Sequence, residues 1–214
     1  DPYEPGYVQI KDTVINDIAL RIYIPHNAIP SLELGYINKN NDSIIFAAQA
    51  ADVREDNGDI VGAFVLKGEP KAWGLSKKGY CAIIDNQLVV GVADNSPLFE
   101  MATETGGYFF RQYPLVDKGR MIENEPRGKA VRRSLCYRAG ETIIVETKER
   151  QSFYDFAQAL QDFGVRDAIY LVGSSAYGWA VDKEGNKTYF GNEKLNRSRR
   201  KIPKNISYIV WKKK

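Results

Sequence analysis

The stretch Phe153–Gly185 reads FYDFAQALQDFGVRDAIYLVGSSAYGWAVDKEG, and its hydrophobic period changes from helical to strand-like within that span. Ser152 followed by Asp155 resembles a capping box, in which the first side chain accepts from a backbone N–H of the opening turn. Phe153, Phe156, Ala157, Leu160 and Phe163 then recur at helical spacing on one face, and Gly164 supplies the stop. Val165 to Val172 returns as a strand that ends in the small residues Gly173-Ser174-Ser175-Ala176. Trp179 to Val181 and Thr188 to Phe190 bracket the turn Asp182-Lys183-Glu184-Gly185-Asn186. One amphipathic helix therefore feeds a strand, a tight loop and a hairpin.

Working outward, short β-like runs dominate. Val14 to Ile24 alternates loosely and ends at Pro25. Ser43 to Ala51 is a small-residue apolar run, either a strand or a buried helical turn. Ile60 to Leu66 reads as a buried strand closed by Lys67-Gly68-Glu69-Pro70. Tyr80–Ile84 and Gln87–Ala93 flank Asp85-Asn86, a hairpin signal, and Val131–Tyr137 and Thr142–Thr147 flank a second turn at Arg138–Glu141. A shorter helix is expected over Pro97–Thr103, and Ile206–Trp211 forms a last strand before the polar end Lys212–Lys214. These runs predict an α+β fold: a single domain over residues 1–214, with a mixed, largely antiparallel β-sheet and a few packed helices.

Composition removes several chemistries. The 214 residues include one histidine and two cysteines, with thirty Lys+Arg against twenty-seven Asp+Glu. A histidine-based triad would have to use His26, in a stretch bounded by prolines, and a four-ligand Cys/His zinc site has only Cys81, Cys136 and His26 to draw on. No metal site and no cofactor are expected. A net charge of +3 does not argue for nucleic acid, and no apolar run reaches the roughly 18 residues that span a bilayer. The basic cluster Arg197–Lys201 reads as a solvated loop. Cys81 and Cys136 lie in apolar runs, where a free buried thiol and a disulfide are both open. The opening Asp1-Pro2-Tyr3, without an initiating Met, leads to the expectation of a chain cut behind a signal or anchor segment.

Three segments in order carry a resemblance: GGYFFRQYPLVDKG at Gly106–Gly119, RRSLCYRAG at Arg132–Gly140 followed by TIIVET, and Phe153–Gly185. Together they resemble the phosphodiester glycosidase family, over about the last 130 residues well and the first 90 loosely. The resemblance implies an extracytoplasmic protein (periplasmic, secreted or envelope-anchored). It implies a hydrolase acting on a glycosyl-phosphate diester. The alternative is a degenerate module that binds a glycan or phospho-sugar. Val172 stands where the family carries Asp, and Val61, in Val61-Gly62-Ala63-Phe64, stands where it carries Asn. Two polar side chains of the family's pattern are thus aliphatic here.

A sugar-1-phosphodiester needs an anion clamp, donors for its oxygens and an acid or base. The planar fork of arginine meets two phosphate oxygens at once. Arg133 with Ser134, matching the family's Arg-Thr/Ser pair, is the candidate clamp, and Gly173, Ser174 and Ser175 the candidate anion loop. Arg111 and Gln112 follow Tyr108-Phe109-Phe110 and precede Tyr113, an arrangement that suits a sugar ring or, equally, a core strand. Glu104 and Asp182 are the candidate catalytic carboxylates, with Asp52 a third at the edge of a charged turn.

Overall fold

In a computed structural model, residues 4–193 and 204–214 are described. The strands are β1 (Tyr7–Ile15), β2 (Ile18–His26), β3 (Ala28–Leu34), β4 (Ile44–Gln49), β5 (Phe64–Leu66), β6 (Glu69–Ala72), β7 (Gly79–Ile84) and β8 (Gln87–Val92). After helix α1 (Leu98–Thr105) come β9 (Tyr108–Gln112), β10 (Pro114–Asp117), β11 (Arg120–Met121), β12 (Arg133–Arg138) and β13 (Glu141–Thr147). Helix α2 (Phe153–Asp162) precedes β14 (Asp167–Leu171), β15 (Gly178–Val181), β16 (Lys187–Phe190) and β17 (Ser207–Lys213).

The strands form three sheets, ordered β1-β2-β13-β12-β14-β10-β11, β16-β15-β4-β17-β3 and β6-β5-β9-β7-β8. The expected α+β class is corrected on this point. Among the described residues the protein is predominantly β, with two short helices, α1 and α2, and the one mixed sheet is replaced by three whose described pairings are all antiparallel. Tight turns join the antiparallel neighbours β1/β2, β5/β6, β7/β8, β10/β11 and β12/β13. The pairs Asn16-Asp17, Lys67-Gly68, Asp85-Asn86, Lys118-Gly119 and Ala139-Gly140 all take positive φ at both residues, the geometry whose twist matches a two-residue hairpin.

Each sheet turns one face toward a shared core that includes Tyr23, Phe46, Phe64, Phe110, Leu135, Ile169 and Trp211. The outer face of the first sheet is covered by α2, whose Phe153, Phe156, Ala157 and Leu160 meet Leu20, Ile22, Cys136 and Val145. Helix α1 covers the outer face of the third sheet, where Ala102 meets Val65, Ala82 and Phe109. The start of α2 lies where the sequence puts it: the Ser152 side chain accepts from the Asp155 N–H at 3.0 Å, and Gly164 turns out with φ 87°.

Three further expectations change. The run Val14–Ile24 is not one strand, because Asn16-Asp17 folds it into the β1/β2 hairpin. Within Ile60–Leu66 only Phe64–Leu66 is a strand, since Ile60 makes an isolated bridge to Val53 and Gly62 takes φ 87°. Strand β17 also runs on through Lys213, so part of the expected polar end is paired with β3. Cys81 and Cys136 are both free and buried, and the cluster Arg197–Lys201 lies outside the described residues.

Candidate functional site

The Ala139-Gly140 turn sets the register of β12 against β13, which places Arg133 opposite Glu146. On its other side Arg133 is opposite Leu171 of β14, and Glu146 is opposite Arg21 of β2. Opposed residues share a sheet face, so this row points toward the shared core. Arg133 Nη2 donates to Glu146 Oε1, and Nη1 donates to the Val172 carbonyl at 3.0 Å. Tyr23 donates its phenol to Glu146 Oε2 at 2.7 Å. The Phe190 ring lies 4.1 Å from the guanidinium carbon. Arg133 and Tyr23 are each 1% exposed and Glu146 8%, yet Arg133 Nε has no acceptor among the described residues. Burial first, and then the Glu146 charge, push the Tyr23 phenol far above its ordinary value, so it stays a donor.

The Gly173–Ser175 loop leaves β14 directly after Val172, so the structure brings the loop to the Arg133 side chain. A Cβ on Gly173 would sit 2.2 Å from the Val131 carbonyl, which explains the glycine. Ser174, at φ 54°, donates its N–H to that carbonyl at 2.8 Å, and the Ala176 N–H returns to the Gly173 carbonyl at 3.0 Å. These two amides are therefore engaged in holding the loop. The Ser174 and Ser175 side chains face solvent. Ser134 does not join them: its hydroxyl is turned to the opposite face, donating to the Val145 carbonyl at 3.0 Å and lying 3.2 Å from Cys136 Sγ.

Gln112 ends β9 on the core side. Its Nε2 donates to the Ala50 carbonyl at 3.0 Å and to Asp52 Oδ1 at 3.1 Å, while the other Asp52 oxygen pairs with Lys77. The Lys77 amine also sits 4.2 Å from the centre of the Tyr113 ring, and burial pushes it down to about 8 despite its carboxylate partner. A cavity of about 690 Å³ opens beside Lys77, Tyr113, Asn124 and Glu125. The Tyr170 N–H donates to the Tyr113 carbonyl at 2.8 Å, so the Gln112 group and the Arg133 group flank the same end of β14. Arg111 points the other way, with Nη1 donating to the carbonyls of Ala93 at 2.8 Å and Lys77 at 3.2 Å and Nη2 to that of Asp94 at 2.9 Å.

The two candidate carboxylates lie elsewhere. Glu104 is exposed on α1, and Asp182 accepts from the N–H groups of Glu184 at 3.0 Å and Asn186 at 2.8 Å, as a turn residue does. Glu146, Tyr23 and Lys77 were not singled out from the sequence. Glu146 has a signal there, since the hairpin register alone sets it across from Arg133. His26 stacks on Tyr7 at 4.9 Å and bonds Gln9 at 3.0 Å. Among the described residues no group of three or more His, Cys, Asp or Glu is arranged to hold a metal ion.

Neither a protein-family model nor a curated protein matches the chain. Solved structures do. One is the catalytic domain of zebrafish N-acetylglucosamine-1-phosphodiester alpha-N-acetylglucosaminidase, auto-inhibited by its pro-peptide, at a TM-score of 0.64 and 15% identity. That alignment covers 98% of this chain and 83% of the zebrafish one. A hypothetical protein from Synechocystis aligns at a TM-score of 0.65 and 12% identity, over 98% of this chain and 62% of its own. At these identities the likeness is one of fold: the chain is built like a phosphodiester glycosidase catalytic domain.

Proposed function

We propose that the chain binds a phospho-sugar or glycan at the Arg133 end of β14 and does not hydrolyse it. The observation that carries this reading is Arg133 itself: a buried guanidinium with an Nε lacking an acceptor among the described residues, beside an aromatic face and a serine loop. An arginine of that kind suits a phosphate oxygen, and Phe190 suits the C–H face of a sugar. Hydrolysis needs in addition a carboxylate that can deliver or remove a proton at the reacting oxygen. Glu146 is an acceptor from Arg133 and Tyr23, and Asp52 is an acceptor from Lys77 and Gln112. Val172 and Val61 contribute only backbone groups here, a carbonyl to Arg133 and an N–H to the Asp52 carbonyl at 2.8 Å.

The second reading is hydrolysis of a glycosyl-phosphate diester, and the fold likeness to a catalytic domain favours it. An envelope setting belongs to both readings through the family resemblance. Calorimetric titration with N-acetylglucosamine 1-phosphate, beside a sugar-release assay on a diester of the same compound, tests them together. Saturable binding without sugar release, weakened at least about tenfold in Arg133→Lys, is expected. Sugar release that Arg133→Lys abolishes would establish the hydrolase instead. Absence of both would sink both readings.

A further inference from the structure

On the outer face of the third sheet, away from the Arg133 end of β14, Trp73 and Leu75 stand 67% and 65% exposed at the mouth of a cavity of about 350 Å³. The two other tryptophans, Trp179 and Trp211, are buried. The volume lies within the roughly 300–1,000 Å³ typical of small-molecule sites. Phe99 and Phe109 contribute to its walls, at ring centroids 5.6 Å apart and 88° to one another, while Asn95 and Glu100 contribute polar groups. Arg111 lines it too; its terminal nitrogens are bonded to carbonyls, and its buried Nε has no acceptor among the described residues.

The charges select the occupant. Glu100 lines the cavity and opposes an anion there. A cation on the Trp73 face would meet the Arg111 charge in a partly dehydrated site. A purely apolar ligand would dehydrate Asn95 and Glu100 without bonding them. A neutral polyhydroxylated ring avoids all three costs: its C–H face stacks on an indole, and its hydroxyls donate to the amide and carboxylate oxygens. We infer that this cavity is a binding site for a neutral saccharide, with Trp73 as its platform. It is separate from the Arg133 site, because Arg111 and Gln112 point to opposite faces of β9, and it stands whether or not that site binds phospho-sugar.

The test is titration of the whole chain with maltotriose, cellotriose and chitotriose, read by calorimetry and tryptophan emission, with trigalacturonate and a glucosamine trimer as charged probes. At least one neutral trisaccharide should saturate and perturb the emission. Trp73→Ala should weaken it about tenfold, and Trp73→Tyr should recover part of the loss. Because Trp73 is exposed, its replacement leaves the core intact, and circular dichroism checks this. Failure of every neutral probe to bind, tighter binding of a charged probe, or binding indifferent to Trp73→Ala would each overturn the assignment.

Discussion

Arg133 and Arg111 are buried to nearly the same degree, at 1% and 2% exposed, and neither Nε has an acceptor among the described residues. Their environments differ in kind. Arg133 faces a carboxylate that also accepts from Tyr23, and it reaches one carbonyl beyond. Arg111 is bonded to the carbonyls of Lys77, Ala93 and Asp94, which ties the lead-in to β7 to the exit of β8. Burial drives the Arg111 guanidinium below its ordinary value. The first arginine belongs to a charged cluster whose members depend on one another. The second acts as a staple between two backbone segments.

That difference is measurable. Glu146→Ala leaves Arg133 as an unpaired buried charge, and the expected loss of stability is about 3–5 kcal/mol in urea unfolding. The paired replacement Arg133→Met with Glu146→Leu should recover most of that loss. Arg111→Met removes hydrogen bonds to neutral carbonyls and should cost less, about 1–3 kcal/mol. A larger loss for Arg111 than for Glu146 would break the contrast.

A third prediction concerns pH. Lys77 is held at about 8 in the fold against an ordinary 10.5, so between these values the unfolded chain binds the proton that the folded chain has released. Stability should therefore rise as pH increases through that window, and Lys77→Met should flatten the rise. Smaller still is the effect at Asp12, where hydrogen bonds from Arg21 and Lys148 lower the carboxyl from 3.8 to about 2. Its contribution is present above pH 4 and lost as pH falls toward 2. Because Asp12 is half-exposed, Asp12→Asn at neutral pH should cost no more than about 1 kcal/mol. The buried thiols, whose pKa values burial raises, should resist thiol reagents in the folded protein and react once it is unfolded.

Local chemistry was legible in the sequence where a turn or a cap announces itself. Asp85-Asn86 reads as a hairpin and is one, and Ser152 with Gly164 bounds the helix it was expected to bound. Asn16-Asp17 carries the same turn chemistry, but the isoleucines around it make Val14–Ile24 look continuous. Which strands become neighbours was not legible, because β17 inserts between β3 and β4, and nothing local specifies so distant a partner. The site follows the same division. Arg133 and the Gly173 loop come together because both flank one strand end, whereas Ser134, one residue on, faces the helix side. Tyr23 completes the cluster from a strand more than a hundred residues away in sequence, so no spacing could reveal it.

On the proposed reading, the Arg133 cluster receives the anion of a phospho-sugar. A crystal structure of the protein soaked with N-acetylglucosamine 1-phosphate tests it most directly. Phosphate oxygens are expected within hydrogen-bonding distance of Arg133 Nε, with the sugar against Phe190. Phosphate bound at another surface, with the Arg133–Glu146–Tyr23 cluster untouched by ligand, would contradict it.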